Sequence, residues 1–198
     1  MNFKLIEKHI PYNSLHHIEN WIGNERVLLK IKSARRTKLG DYRFIKEAKL
    51  HQITVDGTLE PEVFFFVLTH ELAHMLVRIK FSEKVKSHGN EWKQVFGQLL
   101  RESLNVYPEE LKPIIFRHAQ NPRASVGADK QLYQKLFVDS DKLEMLVENL
   151  ADNQKFRIGK RVFIKGIKRK IRYICKEVRT GKQYLISGQA IVDEIINK

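Results

Sequence analysis

His70-Glu71-Leu72-Ala73-His74 lies inside a stretch whose apolar residues recur at helical spacing, and this combination constrains the fold more than any other feature of the chain. Phe64, Leu68, Leu72, Leu76 and Ile79 fall three or four positions apart and mark a core-facing side. Pro61 suits the first helical turn, where its missing N–H would lack a partner in any case. Histidines four apart share one face of a helix, so both imidazoles can converge on one ion while the apolar stripe anchors the helix. Glu71 is offset from them and can reach a water on the metal rather than the metal itself.

A catalytic zinc ion usually has three protein ligands and one open position, so a third ligand is needed. The metzincin pattern would place Gly at 77 and His at 80; the chain has Val77 and Lys80, which excludes that class. His88 opens a second amphipathic helix carrying Trp92, Val95, Phe96, Leu99 and Leu100, and a turn at Gly89 can fold its imidazole back. Glu91, Glu102 and His118 are the alternatives. His9, His16, His17 and His51 lack ligand spacing and read as surface or core residues.

Upstream, Asn13 or Ser14 can cap a short helix bearing Leu15, Ile18, Trp21 and Ile22. Strands are predicted at Val27–Ile31, Tyr42–Ile45 and Leu50–Val55. A helix, three short strands and two helices make an α+β domain over residues 1–105. Residues 106–155, punctuated by Pro108, Pro113 and Pro122, read as a helical connecting segment with a short helix at Lys142–Leu150. From Phe156 the texture turns strand-like, with a hairpin of Ile171–Val178 and Gln183–Ile186, so residues 156–198 form a small basic β unit. Its core is expected from Phe156, Val162, Phe163, Ile171, Tyr173 and Tyr184.

The net charge is +13, and eleven Lys or Arg against one acidic residue lie between Arg157 and Lys182. Such a local excess suits a polyanion. Lys165, Lys168, Arg169, Lys170 and Arg172 are the candidate nucleic-acid contacts, to DNA or RNA, through phosphates rather than base readout. Cys175 is the only cysteine, which rules out an internal disulfide framework and reads as a small buried hydrophobe. The longest apolar run, Val63–Leu68, is too short for a bilayer, and Met1–Lys8 has charges where a signal peptide needs apolar residues. The expectation is a soluble cytoplasmic protein with no membrane partner.

His70-Glu71-Leu72-Ala73-His74-Met75-Leu76-Val77, followed by Ser87-His88-Gly89-Asn90-Glu91-Trp92-Lys93, resembles the SprT-like metalloproteases, a family related to the DNA–protein crosslink protease Spartan. Its hallmark pairs a His-Glu-x-x-His helix with a His-Gly-x-x-aromatic segment, and both parts match here. Lys38-Leu39-Gly40-Asp41-Tyr42-Arg43 resembles the family's strand region, and the likeness is specific over roughly residues 25–105. The resemblance implies a zincin-like domain with one zinc held by His70, His74 and His88, and Glu71 as general base. It also implies cleavage of proteins associated with DNA. The competing class is a non-catalytic zinc protein associated with nucleic acid, in transcription or stress. Many family members end in a four-cysteine zinc ribbon; here Arg172–Cys175 and Tyr184–Gly188 resemble ribbon strands without the cysteines, so no second zinc is expected.

Overall fold

The computed structural model describes residues 5–33, 38–138 and 140–196; of the N-terminal stretch read against a signal peptide, residues 1–4 lie outside it. Two compact units divide the chain, Met1–Ala124 and Ser125–Lys198, so the segment 106–155 is shared between them.

The first unit is α+β. Helix α1 (Leu15–Ile22) is followed by strands β1 (Val27–Lys32), β2 (Gly40–Ile45) and β3 (Leu50–Asp56). Ser14 stands at the cap position of α1, but its hydroxyl donates back to the Pro11 carbonyl at 2.6 Å instead of capping the helix. The sheet order is β1-β3-β2, with β1 parallel and β2 antiparallel to β3. Central β3 is buried along nearly its whole length, with Ile53 and Val55 fully inaccessible.

Helix α2 (Pro61–Phe81) packs against β2, β3 and helix α3 (Asn90–Glu102). Covered on several sides, it buries Phe64, Phe65, Phe66 and Val67 in succession rather than a single stripe. Leu68 and Leu72 are fully buried as the spacing predicts, but Leu76 is half-buried and Ile79 is 45% exposed. The last turn of α2, with Arg78 and Lys80, belongs to the surface side, and burial ends about one turn early. On α3, Trp92, Phe96, Leu99 and Leu100 face inward as expected. Helix α4 (Lys112–Gln120), with Pro113 in its first turn, packs on α3.

The second unit opens with helix α5 (Lys130–Phe137), whose Asp129 cap accepts from the Leu132 N–H at 3.2 Å. The helix predicted at Lys142–Leu150 is instead two 3-10 turns, Ser140–Met145 and Val147–Asn149. The backbone there is committed elsewhere: Val147 and Glu148 N–H donate to Ala190 and Gly188 carbonyls, and Val192 N–H donates to Met145. Those cross-chain bonds replace the i to i−4 ladder and insert Leu146 and Val147 into the core.

Five antiparallel strands follow: β4 (Lys155–Ile158), β5 (Arg161–Arg169), β6 (Arg172–Glu177), β7 (Gln183–Ser187) and β8 (Glu194–Ile196). Their order is β7-β6-β5-β4-β8, so the last strand returns to pair with the first. The predicted hairpin is β6–β7. Phe156, Phe163, Tyr173 and Cys175 form the core with Val147, Leu150 and Val192, and Tyr184 packs against it. Ile171, expected in that core, is 60% exposed because it sits in the β5–β6 turn. Cys175 is fully buried, as its bland reading requires, and burial pushes its thiol pKa up.

Lys165 corrects the list of nucleic-acid candidates. It is 3% exposed, its ammonium donates to the Glu148 and Leu150 carbonyls, and it lies 4.5 Å from the Tyr173 ring centroid. It stands two residues after Phe163 on β5 and shares its inward face, so it ties the sheet to the 3-10 turns instead of facing a phosphate. Lys168, Arg169, Lys170 and Arg172 are exposed.

Candidate metal centre

One helical turn separates His70 from His74 on α2, and His88 arrives from the loop that ends at Gly89, the residue capping α3. Their Nε2 atoms lie 3.3 Å (His70–His74), 3.1 Å (His74–His88) and 3.2 Å (His70–His88) apart. Nitrogens bound tetrahedrally to one ion at ~2.0–2.1 Å would stand about 3.3 Å apart, so the three rings fit a single metal ion. Among the described residues this is the one group of three or more metal-ligating side chains.

Electrostatics point the same way. Burial, then the neighbouring histidines, lowers the His70 pKa to about 3. Burial and His88 lower that of His74 to about 4, and burial also lowers that of His88. All three rings are therefore neutral at neutral pH, which is the form that donates a lone pair to a metal. Trp92, fully buried on α3, supports them from below: its ring centroid lies 4.7 Å from His70, 5.5 Å from His74 and 4.7 Å from His88.

The other third-ligand candidates are placed elsewhere. Glu102 accepts from Trp21 Nε1 at 2.9 Å and from Gln98. His118 is buried on α4 against Phe66 and Phe96. Glu91 lies beside Gly89 rather than with the three rings. His9 stacks on Phe64, and the His16 and His17 rings meet at a tilt of 38°.

A cleft of about 340 Å³ opens over the histidines, with Glu71, Lys38, Gly40, Asp41, Tyr42, Ser87 and Ala124 in its walls. Glu71 is 8% exposed. Gly40 lies tight against it: a Cβ there would be 2.5 Å from Glu71 Oε1 and 2.8 Å from Val67 Cγ1. Only glycine lets β2 approach the carboxylate this closely. Spacing gave no sign of this role, although Gly40 at a strand start is a mark of close backbone approach.

Tyr42 also faces the cleft, its ring stacked parallel to His74 with centroids 6.4 Å apart. Its hydroxyl is 2.9 Å from His51 Nδ1, and His51 Nε2 lies 3.6 Å from Glu25. The carboxylate calls for the proton on Nε2, so Nδ1 accepts from the phenol. Burial raises the Tyr42 pKa to about 12, and the phenol stays protonated. His51, read from sequence as a bystander, thus orients a residue of the cleft. Arg43 pairs with Asp41 at 3.3 Å with its side chain 63% exposed, and does not line the cleft.

No curated protein and no solved structure matches the chain. The SprT-like family model matches residues 12–112, which span α1, the three-stranded sheet, α2, the three histidines and α3. With just over half of its length and the whole candidate centre inside that match, the chain belongs to the SprT-like family.

Proposed function

We propose that this chain is a zinc-dependent peptidase with a zincin-like domain, in which His70, His74 and His88 hold one zinc and Glu71 is the general base. The observation that carries the reading is the convergence of three neutral imidazole nitrogens at 3.1–3.3 Å beside a buried, non-ligating carboxylate. A purely structural ion has no use for such a carboxylate, and this favours catalysis over the non-catalytic zinc-protein reading. Zinc in the site supplies Lewis acidity, which acidifies water and polarises a carbonyl. Glu71 takes the proton of the attacking water and returns it to the leaving amine. The 340 Å³ cleft admits an extended segment of substrate, and edge strand β2 forms one of its walls.

The substrate we infer is protein associated with DNA or RNA, reached through Lys168, Arg169, Lys170 and Arg172. Support comes from their exposure and the local charge excess. Among the described residues no helix is long and apolar enough to cross a membrane, and a cytoplasmic setting is part of the same proposal.

Metal analysis tests the ligand set. Purified protein is expected to contain about one zinc per chain, and His88→Ala should release it to a chelator at least about 10-fold faster. Equal retention by His88→Ala and wild type would remove His88 from the site. A second variant probes the cleft wall. Gly40→Ala forces its new methyl against Glu71 and Val67, so cleavage of an unfolded protein substrate should fall roughly 10-fold or more while zinc content stays constant. Unimpaired cleavage by Gly40→Ala would mean that the position of Glu71 does not limit turnover.

A further inference from the structure

The β5–β6 hairpin carries two features that a merely solvated basic face does not need. Its register pairs Lys168 with Tyr173 and Arg169 with Arg172, so two arginines stand directly opposite each other beside the turn at Lys170 and Ile171. Like charges in a directly opposed pair repel each other. Elsewhere in the sheet Arg157 and Arg161 have carboxylate partners, Glu194 and Glu177; among the described residues none is found for the cations at this tip. The second feature is apolar. Ile167 and Ile171 are 64% and 60% exposed among those four cations. Ile167 lies in the bulge between Lys165 and Lys168, next to Gly166, where a Cβ would meet the Ile174 carbonyl oxygen at 2.3 Å. The close approach of the two strands at Gly166 fixes the bulge.

We propose that this hairpin is a nucleic-acid wedge. Arg169 and Arg172 clamp one phosphate between them, Lys168 and Lys170 take flanking phosphates, and Ile167 and Ile171 press against bases at an opened step. The inference rests on the nucleic-acid reading given above and adds a contact to the bases. Guanidinium groups match phosphate oxygens in a two-pronged geometry, and an anion between them removes the Arg169–Arg172 repulsion. A two-stranded ribbon fits a DNA groove, and isoleucine is among the side chains that proteins insert between base steps.

An anionic lipid surface offers the same phosphodiester chemistry, but the layout of charge favours a polymer. Strand β6 runs six residues from the tip, about 20 Å at the usual strand rise, and exposed Lys176, Arg179 and Lys182 carry the positive charge to its far end. A bilayer meets one tip in a plane, whereas a nucleic acid presents phosphates along such a length.

The experiment titrates the full chain into a DNA duplex with a single-strand junction and 2-aminopurine beside it, at several salt concentrations. Wild type should raise the fluorescence as bases unstack, with log affinity falling against log salt at a slope of roughly −3 to −4. The double variant Ile167→Ser/Ile171→Ser should lose the fluorescence rise and about 10-fold in affinity while keeping the slope. Arg169→Ala/Arg172→Ala, which removes the clamp on one phosphate, should flatten the slope by roughly 1. Both pairs are exposed, and circular dichroism checks their fold. Unchanged fluorescence and affinity in the isoleucine variant would overturn the wedge and leave phosphate binding standing. No binding of wild type to DNA, or to the matching RNA, at low salt would overturn the nucleic-acid reading and the wedge together. Isoleucine-dependent pelleting with phosphatidylserine vesicles, without base unstacking, would assign the hairpin to lipid instead.

Discussion

Glu71→Gln is expected to slow peptide-bond cleavage by at least about 100-fold while leaving zinc content and fold intact. The amide keeps the size of the carboxylate, so the close packing against Gly40 survives the exchange. What it loses is the capacity to accept a proton from attacking water and hand it on. Because Glu71 is not one of the three converging histidines, metal affinity has no reason to change. Single-turnover cleavage of an unfolded, labelled protein, with metal analysis on the same samples, separates the two quantities. Loss of zinc along with activity would make Glu71 a ligand or a structural prop. Equal cleavage by the two proteins would sink the general-base role. Cleavage by neither, on free or DNA-bound protein, would favour the non-catalytic reading.

The legible parts of this chain are those whose signal is local. Two histidines four apart on a helix converge because of the helix geometry itself, whatever the tertiary structure, so His70 and His74 could be paired from sequence. His88 depends on a turn between two helices. Spacing alone left it beside Glu91, Glu102 and His118; the loop ending at Gly89 brings its ring to the other two. Strand positions followed from residue pattern, but nothing local reveals that β1 runs parallel to β3 while β2 takes the far edge. That order is what brings Gly40 and Tyr42 to the cleft.

Lys165 shows a different failure. A count of charges treats every lysine alike, whereas period-two alternation with Phe163 already put this one on the inner face. Its ammonium finds two carbonyls there, which makes burial tolerable. The segment 145–148 misled for the opposite reason: its apolar spacing fits a helix, but its backbone bonds to residues forty or more positions later. Long-range pairing of that kind overrides propensity and leaves no mark in the local sequence.

Trp92→Ala is expected to destabilise the fold by about 3–5 kcal/mol, the range for deleting a large buried aromatic side chain. Trp92 is fully inaccessible and packs on Phe96, with ring centroids 4.9 Å apart, as well as beneath His70, His74 and His88. Its removal opens a cavity where α2 and α3 meet, directly under the rings. Two effects therefore combine: lost burial, and freedom for His70, His74 and His88 to leave the geometry that fits one ion. Since a bound metal stabilises only the folded state, they must be separated by measuring unfolding with a chelator and again with excess zinc. The chelated proteins should differ by the packing loss alone, and zinc should widen the gap because the variant binds it more weakly. Trp92→Phe is the informative control. The indole N–H makes no hydrogen bond within the described structure, so phenylalanine orphans no acceptor and loses only part of the ring volume. It should cost clearly less than alanine and hold zinc nearly as well as wild type. If alanine and phenylalanine variants were equally stable with chelator and equally loaded with zinc, the ring would not be what supports the histidines.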